Sequence, residues 1–154
     1  MKDQFFMNRA LKLAEQALSI GEVPVGAVIV YNYTIISESY NTRETDKNAL
    51  AHAEITAIDA ACKKLGGWRL HMCDIYITLE PCPMCAGAIV NARFKRVIYA
   101  AKDSRAGAFG SVININSYPL NHKPEIVSGI GELESRQLLQ KFFKNLRNKK
   151  KPLS

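Results

Sequence analysis

No apolar run in this 154-residue sequence approaches the roughly 20 residues that a membrane-spanning helix requires. The N-terminal residues have an amphipathic pattern and lack the apolar segment of a signal peptide. Cysteine is also scarce, and the four cysteines of a chain without a secretion signal are more often metal ligands, catalytic groups or buried thiols than disulfides. These absences predict a cytoplasmic protein with no membrane partner.

The composition is that of a folded globular protein. Apolar residues make up 47% of the chain and charged residues 23%, a balance that excludes a disordered chain and a coiled coil. A chain of this length buries enough apolar surface to fold without disulfide bonds. We therefore predict a single domain over residues 1–154.

Positive charge is concentrated at the C-terminal end. The net charge is +7, yet residues 1–140 hold 15 basic and 14 acidic side chains. The basic helix end and tail at about 141–154, called the basic tail, contain no acid and carry Lys141, Lys144, Arg147, Lys149, Lys150 and Lys151. The basic tail is a candidate contact for a polyanion. A solvated helix end, whose lysines complement the helix dipole, explains the same residues equally well.

The hydrophobic pattern predicts an α/β domain. Two strands form a hairpin, and helices and strands then alternate, which favours a mixed sheet of about five strands in a three-layer α/β/α arrangement. The predicted helices are 3–20, 49–65, 84–91 and 133–147, and the predicted strands are 25–31, 34–38, 74–79, 96–101 and 125–130.

Three side chains form a candidate zinc site. His52 lies in the string Ala-His-Ala-Glu near the start of the second helix, and Cys82 and Cys85 lie in Pro-Cys-Pro-Met-Cys at the start of the third. Three protein ligands leave a fourth tetrahedral position for water, as in catalytic rather than structural zinc sites. Free N–H groups and the dipole at a helix N-terminus favour thiolates. We predict that the two helix N-termini meet at one zinc ion per subunit.

Glu54 is the candidate proton carrier. It lies two residues after His52, a spacing that allows both side chains to lean past the end of a helix only in its first turn. A carboxylate next to a zinc-activated water can take its proton and pass it to a leaving nitrogen. The sequence therefore predicts a general acid and base beside the zinc site.

Other interpretations of these residues remain open. A C-x-x-C pair alone also fits a thioredoxin-like redox site, although the upstream His-x-Glu disfavours that interpretation. A zinc-stabilised RNA-binding module without enzymatic activity would need a fourth protein ligand, which the sequence does not supply in these segments. Cys62 and Cys73 have no paired ligand and are predicted to be small core residues.

The joint pattern H-x-E followed by P-C-x-x-C resembles the signature of zinc-dependent nucleobase deaminases. The longer strings at 22–30, 51–55, 78–88 and 121–122 resemble the bacterial tRNA-specific adenosine deaminases, within the cytidine deaminase superfamily, over nearly the whole chain. This resemblance implies a cytidine-deaminase-like fold, a homodimer, and conversion of adenosine to inosine at the wobble position of a tRNA anticodon. It also implies the zinc-ligand and proton-carrier roles given above.

The resemblance further implies contacts with the anticodon stem-loop. Asn41 corresponds to a base-contacting asparagine, and Val23 and Pro24 would form a wall of the base pocket. Residues 103–108 resemble the D-x-K-x-G-A loop of the family, which implies contacts from Asp103 and from Arg105, where lysine is common. A deaminase of a free base or nucleoside is the alternative, and the basic tail argues against it because phosphates attract such charge.

Overall fold

The computed structural model describes residues 2–150, with the side chains of residues 2–149. Its core is a five-stranded sheet between two layers of helices. Among the described residues, no helix is both long and apolar enough to cross a membrane. The elements in chain order are α1 (Lys2–Ser19), β1 (Gly26–Tyr31), β2 (Thr34–Tyr40), α2 (Ala53–Leu65), β3 (Cys73–Leu79), α3 (Pro83–Asn91), β4 (Arg96–Ala101), a 3₁₀ turn (Ile115–Ser117), β5 (Glu125–Ser128) and α4 (Glu132–Lys150).

The sheet is mixed, as the sequence predicted. Its strand order is β2-β1-β3-β4-β5, in which β1 is antiparallel to β2 and β3, and β3, β4 and β5 are parallel. This topology brings the start of β1 and the ends of β2, β3 and β4 to one end of the sheet. The register pairs Gly26 with Tyr40 and Leu79 with Ala101, and the N–H of Gly26 donates to Thr78 Oγ1 at 3.1 Å. The segment before β1 and the loops after β2, β3 and β4 therefore meet at this end of the sheet.

Alternate side chains of each strand pack against the two helical layers, one on each face of the sheet. Ile75 and Ile77 of β3 face the cluster that contains the buried alanines of α2 together with Ile89 of α3. Tyr76, between them, faces the cluster formed by Phe6 and other residues of α1, against which α4 also packs. This period of two is the signature of a strand with both faces covered. The three-layer α/β/α prediction is confirmed.

Several element boundaries differ from the prediction. Helix α2 begins at Ala53 rather than at 49, because the Oδ1 atom of Asn48 accepts the N–H of Leu50 at 2.9 Å and holds the preceding chain in a turn. Strand β5 ends at Ser128, since Gly129 has a φ of +92°. Helix α4 extends to Lys150, so the bases of the basic tail as far as Lys149 lie on a helix, whereas residues 151–154 fall outside the described residues.

Candidate active site

The N-termini of α2 and α3 meet at the predicted ligand group. His52 is the N-cap of α2 and Cys82 is the N-cap of α3, and neither side chain caps its own helix. The Nδ1 atom of His52 lies 3.6 Å from the Sγ atom of Cys82 and 3.5 Å from the Sγ atom of Cys85. All three ligand atoms lie within 4.8 Å of one another. Two segments about thirty residues apart in sequence thus present one His and two Cys to a common point.

The spacing of these atoms fits zinc. Ligand bonds of about 2.0–2.1 Å to nitrogen and 2.3 Å to sulfur place tetrahedral N and S ligands about 3.5–3.6 Å apart. Within residues 2–149, no further His, Cys or carboxylate joins the group. A three-ligand group leaves one coordination position open, which is the arrangement of a catalytic site. Cys62 and Cys73 pack in the hydrophobic core and are not part of this group.

The electrostatics of the group suit a cation. A hydrogen bond from the Cys85 thiol, followed by one from His52, lowers the pKa of Cys82 to about 4. The same hydrogen bond, together with burial, raises the pKa of Cys85 well above its usual range. These shifts favour the thiolate form of Cys82, and coordination to a metal ion would ionise the second sulfur as well.

Glu54 lies in the first turn of α2, where its side chain is only 4% exposed. Burial raises the pKa of this carboxyl to about 7. Both the protonated and the ionised form are then accessible near neutral pH, which is the property that a general acid and base requires. Glu54 lines the same cavity as His52 and Cys82.

This cavity has a volume of about 190 Å³. Pockets that enclose drug-sized ligands have volumes of roughly 300–1,000 Å³, so the cavity suits one flat heterocycle with the rest of its molecule outside. Its wall is formed by Val23, Val25, Asn41, Arg43, His52, Ala53, Glu54, Leu79, Glu80, Cys82, Asp103 and Ala106.

The structure brings only some of the predicted substrate residues to this wall. Val23, Asn41 and Asp103 line the cavity, and Asn41 joins two parts of the wall because its Nδ2 donates to the Val23 carbonyl at 3.2 Å. Pro24 is buried but does not line the cavity. Arg105 lies outside it, on a neighbouring groove.

Sequence reasoning missed three charged residues of this region. Arg43 and Glu80 line the cavity. Glu22, 1% exposed, accepts the N–H groups of Glu44 at 3.1 Å and Thr45 at 2.7 Å and so holds the loop that carries Arg43. Glu22 is an acidic residue in the otherwise apolar segment just before β1. This is the one signal that could have identified it, because buried carboxylates need partners.

The neighbouring groove, of about 1,210 Å³, lies between the loop after β4 and helix α4. Among the described residues that line it, none is acidic and four are cations: Lys102, Arg105, Arg147 and Arg136, the last of which pairs with Glu132 at 2.6 Å. We call it the basic groove. The guanidinium of Arg105 lies 5.5 Å from the ring centroid of Phe143 on α4. The loop predicted to contact the anticodon and the predicted basic helix therefore form one surface.

Comparison with known proteins gives consistent matches. The family model of the MafB19-like deaminases matches residues 1–147. A tRNA-specific adenosine deaminase of Rickettsia bellii (strain RML369-C) is 52% identical over 145 residues, which are 92% of this chain and 100% of that protein. One of Bacillus subtilis (strain 168) is 47% identical over 151 residues, which are 97% of this chain and 94% of that protein.

A solved structure gives the same result. It comes from a study of A-to-I editing by tRNA:A34 deaminases at the wobble position of transfer RNA, and it is 43% identical to this chain with a TM-score of 0.85. The match covers 88% of this chain and 99% of the solved one.

Proposed function

This chain belongs to the tRNA-specific adenosine deaminases, and on that premise we propose that it converts adenosine to inosine at the wobble position of a tRNA anticodon by zinc-dependent hydrolysis. The observation that carries the proposal is the three-ligand group beside the buried carboxyl of Glu54 in a cavity that suits one base. A base must leave its stack to enter such a cavity, and an anticodon loop presents bases that are already unstacked.

The chemistry can be assigned to this chain's own residues. His52, Cys82 and Cys85 would hold one zinc ion per subunit, which would supply a Lewis acid able to activate water near neutral pH. Glu54 would take one proton from the attacking water and deliver it to N1 of the adenine ring, and would then carry the second proton from the new C6 hydroxyl to the exocyclic nitrogen, which leaves as ammonia. Water is consumed, and the base retains its oxygen as inosine.

The remaining wall of the cavity would hold the base. Asn41, 7% exposed, has an amide at the wall that suits a hydrogen bond to a base edge, and Val23 offers an apolar contact. Pro24 would support this wall from behind, and Asp103 would contact the anticodon loop of the tRNA. Arg105 would meet phosphate in the basic groove, where either arginine or lysine serves.

We also propose that residues 1–154 form one domain of a cytoplasmic homodimer, since its substrate is a cytoplasmic RNA. Support for self-association comes from four exposed apolar side chains within nine residues of the segment after β4, because exposed apolar surface on a globular protein is typical of an interface. They are Val112, Ile113, Tyr118 and Leu120, which are 40–53% exposed. Light scattering after gel filtration tests this proposal, and a mass of one chain at micromolar concentration would contradict it.

Sequencing tRNA after incubation with the purified protein tests the proposed reaction. We expect adenosine-to-inosine conversion at the wobble base of an anticodon hairpin, and no conversion when that adenosine is moved one position along the loop. Ammonia release from free adenosine, cytidine and guanine is measured in parallel. Turnover of free bases without inosine in the hairpin would support the free-base alternative instead.

Charge reversal in the basic groove is expected to weaken RNA binding. In a Lys102→Glu/Arg147→Glu variant, the slope of log affinity against log salt should fall by roughly 0.7 to 0.9 for each phosphate that the protein no longer neutralises. Deamination at saturating hairpin should change less than affinity, because the ligand group and Glu54 are untouched. Filter binding at several salt concentrations provides the measurement.

The matched control for this variant is Lys12→Glu/Lys64→Glu. It makes the same change in net charge at exposed positions on α1 and α2, outside the basic groove. Equal losses of affinity in both variants would mean that only net charge matters. Lys149, Lys150 and Lys151 form a second target for reversal to glutamate, although the side chains of Lys150 and Lys151 lie outside the described residues.

A further inference from the structure

Residues 102–111, the first part of the loop between β4 and the 3₁₀ turn, are held by one buried carboxylate. Glu80 follows β3 directly and is 2% exposed. Its Oε1 accepts the N–H of Asp103 at 3.1 Å and the hydroxyl of Ser111. Its Oε2 accepts the N–H groups of Phe109 at 3.0 Å and Ser111 at 3.1 Å. Both ends of the loop are thus fixed to one side chain.

The backbone of this loop packs closely against the carboxyl group of Glu80. A Cβ atom added to Gly107 would overlap the carboxyl group of Glu80. The N–H of Ala108 also donates to the carbonyl of Pro81 at 2.9 Å, so the loop backbone lies directly on the segment that leads to the zinc ligands. Glu80 therefore fills the space between the ligand segment and the loop.

The loop separates the two surfaces that the proposed reaction needs. Asp103 and Ala106 face the cavity, whereas Ser104 and Arg105 line the basic groove. The backbone of Asp103 is fixed by Glu80, and the Oδ1 atom of Asp103 in turn accepts the N–H groups of Arg105 at 2.9 Å and Ala106 at 3.2 Å. A shift of Asp103 would therefore move residues on both surfaces together.

We propose that Glu80 is a positioning residue that fixes this loop between the base cavity and the basic groove. It needs no proton chemistry for this, because every group within hydrogen-bond distance of its oxygens is a donor. The inference rests on the proposed function for its effect on catalysis, but the hold of Glu80 on the loop is a property of the protein without RNA.

Glu80→Gln is the decisive variant because it keeps the shape of the side chain. One carboxylate oxygen becomes an NH₂ donor that faces other donors, so at least one loop N–H group is left without an acceptor. Removing a hydrogen bond to a charged group in this way corresponds to a change of about 10- to 100-fold in an equilibrium or binding constant. We expect faster amide exchange at Asp103, Phe109 and Ser111, and a KM for the anticodon hairpin raised by that factor with kcat within a few-fold of the original.

Gly107→Ala tests the same contact from the loop side. Alone, it should reproduce the faster exchange and the raised KM, because its methyl group displaces the carboxylate. Combined with Glu80→Ala, which empties that space, it should add no further loss. Gly67→Ala is the matched control, since a Cβ atom there meets nothing within 4 Å.

The outcomes separate the possible roles. Unchanged exchange at the three amides in zinc-loaded Glu80→Gln protein overturns the proposal, and so does loss of zinc, which would assign the effect to the ligand segment. A lower melting temperature with unchanged KM also overturns it, because the role would then be structural only. If the original protein makes no inosine, the proposed function fails, while the exchange measurement still decides the role of Glu80.

Discussion

Glu54→Ala protein is expected to retain one zinc ion per chain and to deaminate the anticodon hairpin about 100- to 10,000-fold more slowly, the usual contribution of general acid and base catalysis. Zinc should remain because Glu54 is not part of the ligand group. Turnover should fall because the other two carboxyl groups that line the cavity within the described residues already hold the loop: Glu80 accepts the N–H groups of Asp103 and Phe109, and the Oδ1 atom of Asp103 accepts the N–H of Arg105.

Metal analysis and kcat at saturating hairpin together provide the measurement. Glu54→Gln is the control for shape, since it preserves the volume of the buried side chain and removes only the ability to carry a proton. Both variants should bind the hairpin with the original affinity. Zinc-free Glu54→Ala protein would show that the carboxylate is a ligand, and the assignment of roles would then be wrong.

The ligand group could be predicted from the sequence because its chemistry is local. His52 and Glu54 occupy the first residues of one helix, and Cys82 and Cys85 those of another, so short spacings define how each pair points. What joins the two pairs is the sheet, and the alternation of strands and helices is sufficient to predict it. The predicted start of α2 is wrong because alanine-rich residues before His52 have high helix propensity but lie in a turn.

The partners of the supporting residues could not be predicted in this way. Glu22 and Glu80 act through hydrogen bonds to backbone N–H groups of distant loops, and backbone donors have no signature in the sequence. Resemblance places Arg105 in the loop that contacts the anticodon, and only the folded chain shows that its guanidinium lies over Phe143 of α4. Tertiary contacts of this kind determine where a charge points, whereas the sequence alone shows only its sign.

The arrangement explains how a small domain could select an RNA. The cavity suits one base, while the adjacent basic groove is lined by Lys102, Arg105 and Arg147, three cations for which a free nucleoside offers no phosphate partner. Binding energy from the groove would be available only to a substrate with a backbone, which favours a hairpin over a free base.

Cys85→Ala protein is expected to lose zinc, activity and stability together. Cys85 is fully buried in α3, and its removal leaves two ligands in a site that needs three. Zinc bound at a thousand times its dissociation constant stabilises the folded state by about 4 kcal/mol. For a chain of this length, that corresponds to a fall in melting temperature of roughly 8–16 °C.

Two comparisons isolate the contribution of the metal from that of packing. A chelator should lower the melting temperature of the original protein towards that of the variant, and should leave the variant itself unchanged, because only the folded protein with all three ligands binds zinc. Cys62→Ala is the matched control: it removes a half-buried thiol outside the ligand group and should keep zinc, activity and the response to chelator. Cys85→Ala protein that still held one zinc per chain would show that the metal is bound by other residues, since His52 and Cys82 alone offer only two of the ligands that zinc requires.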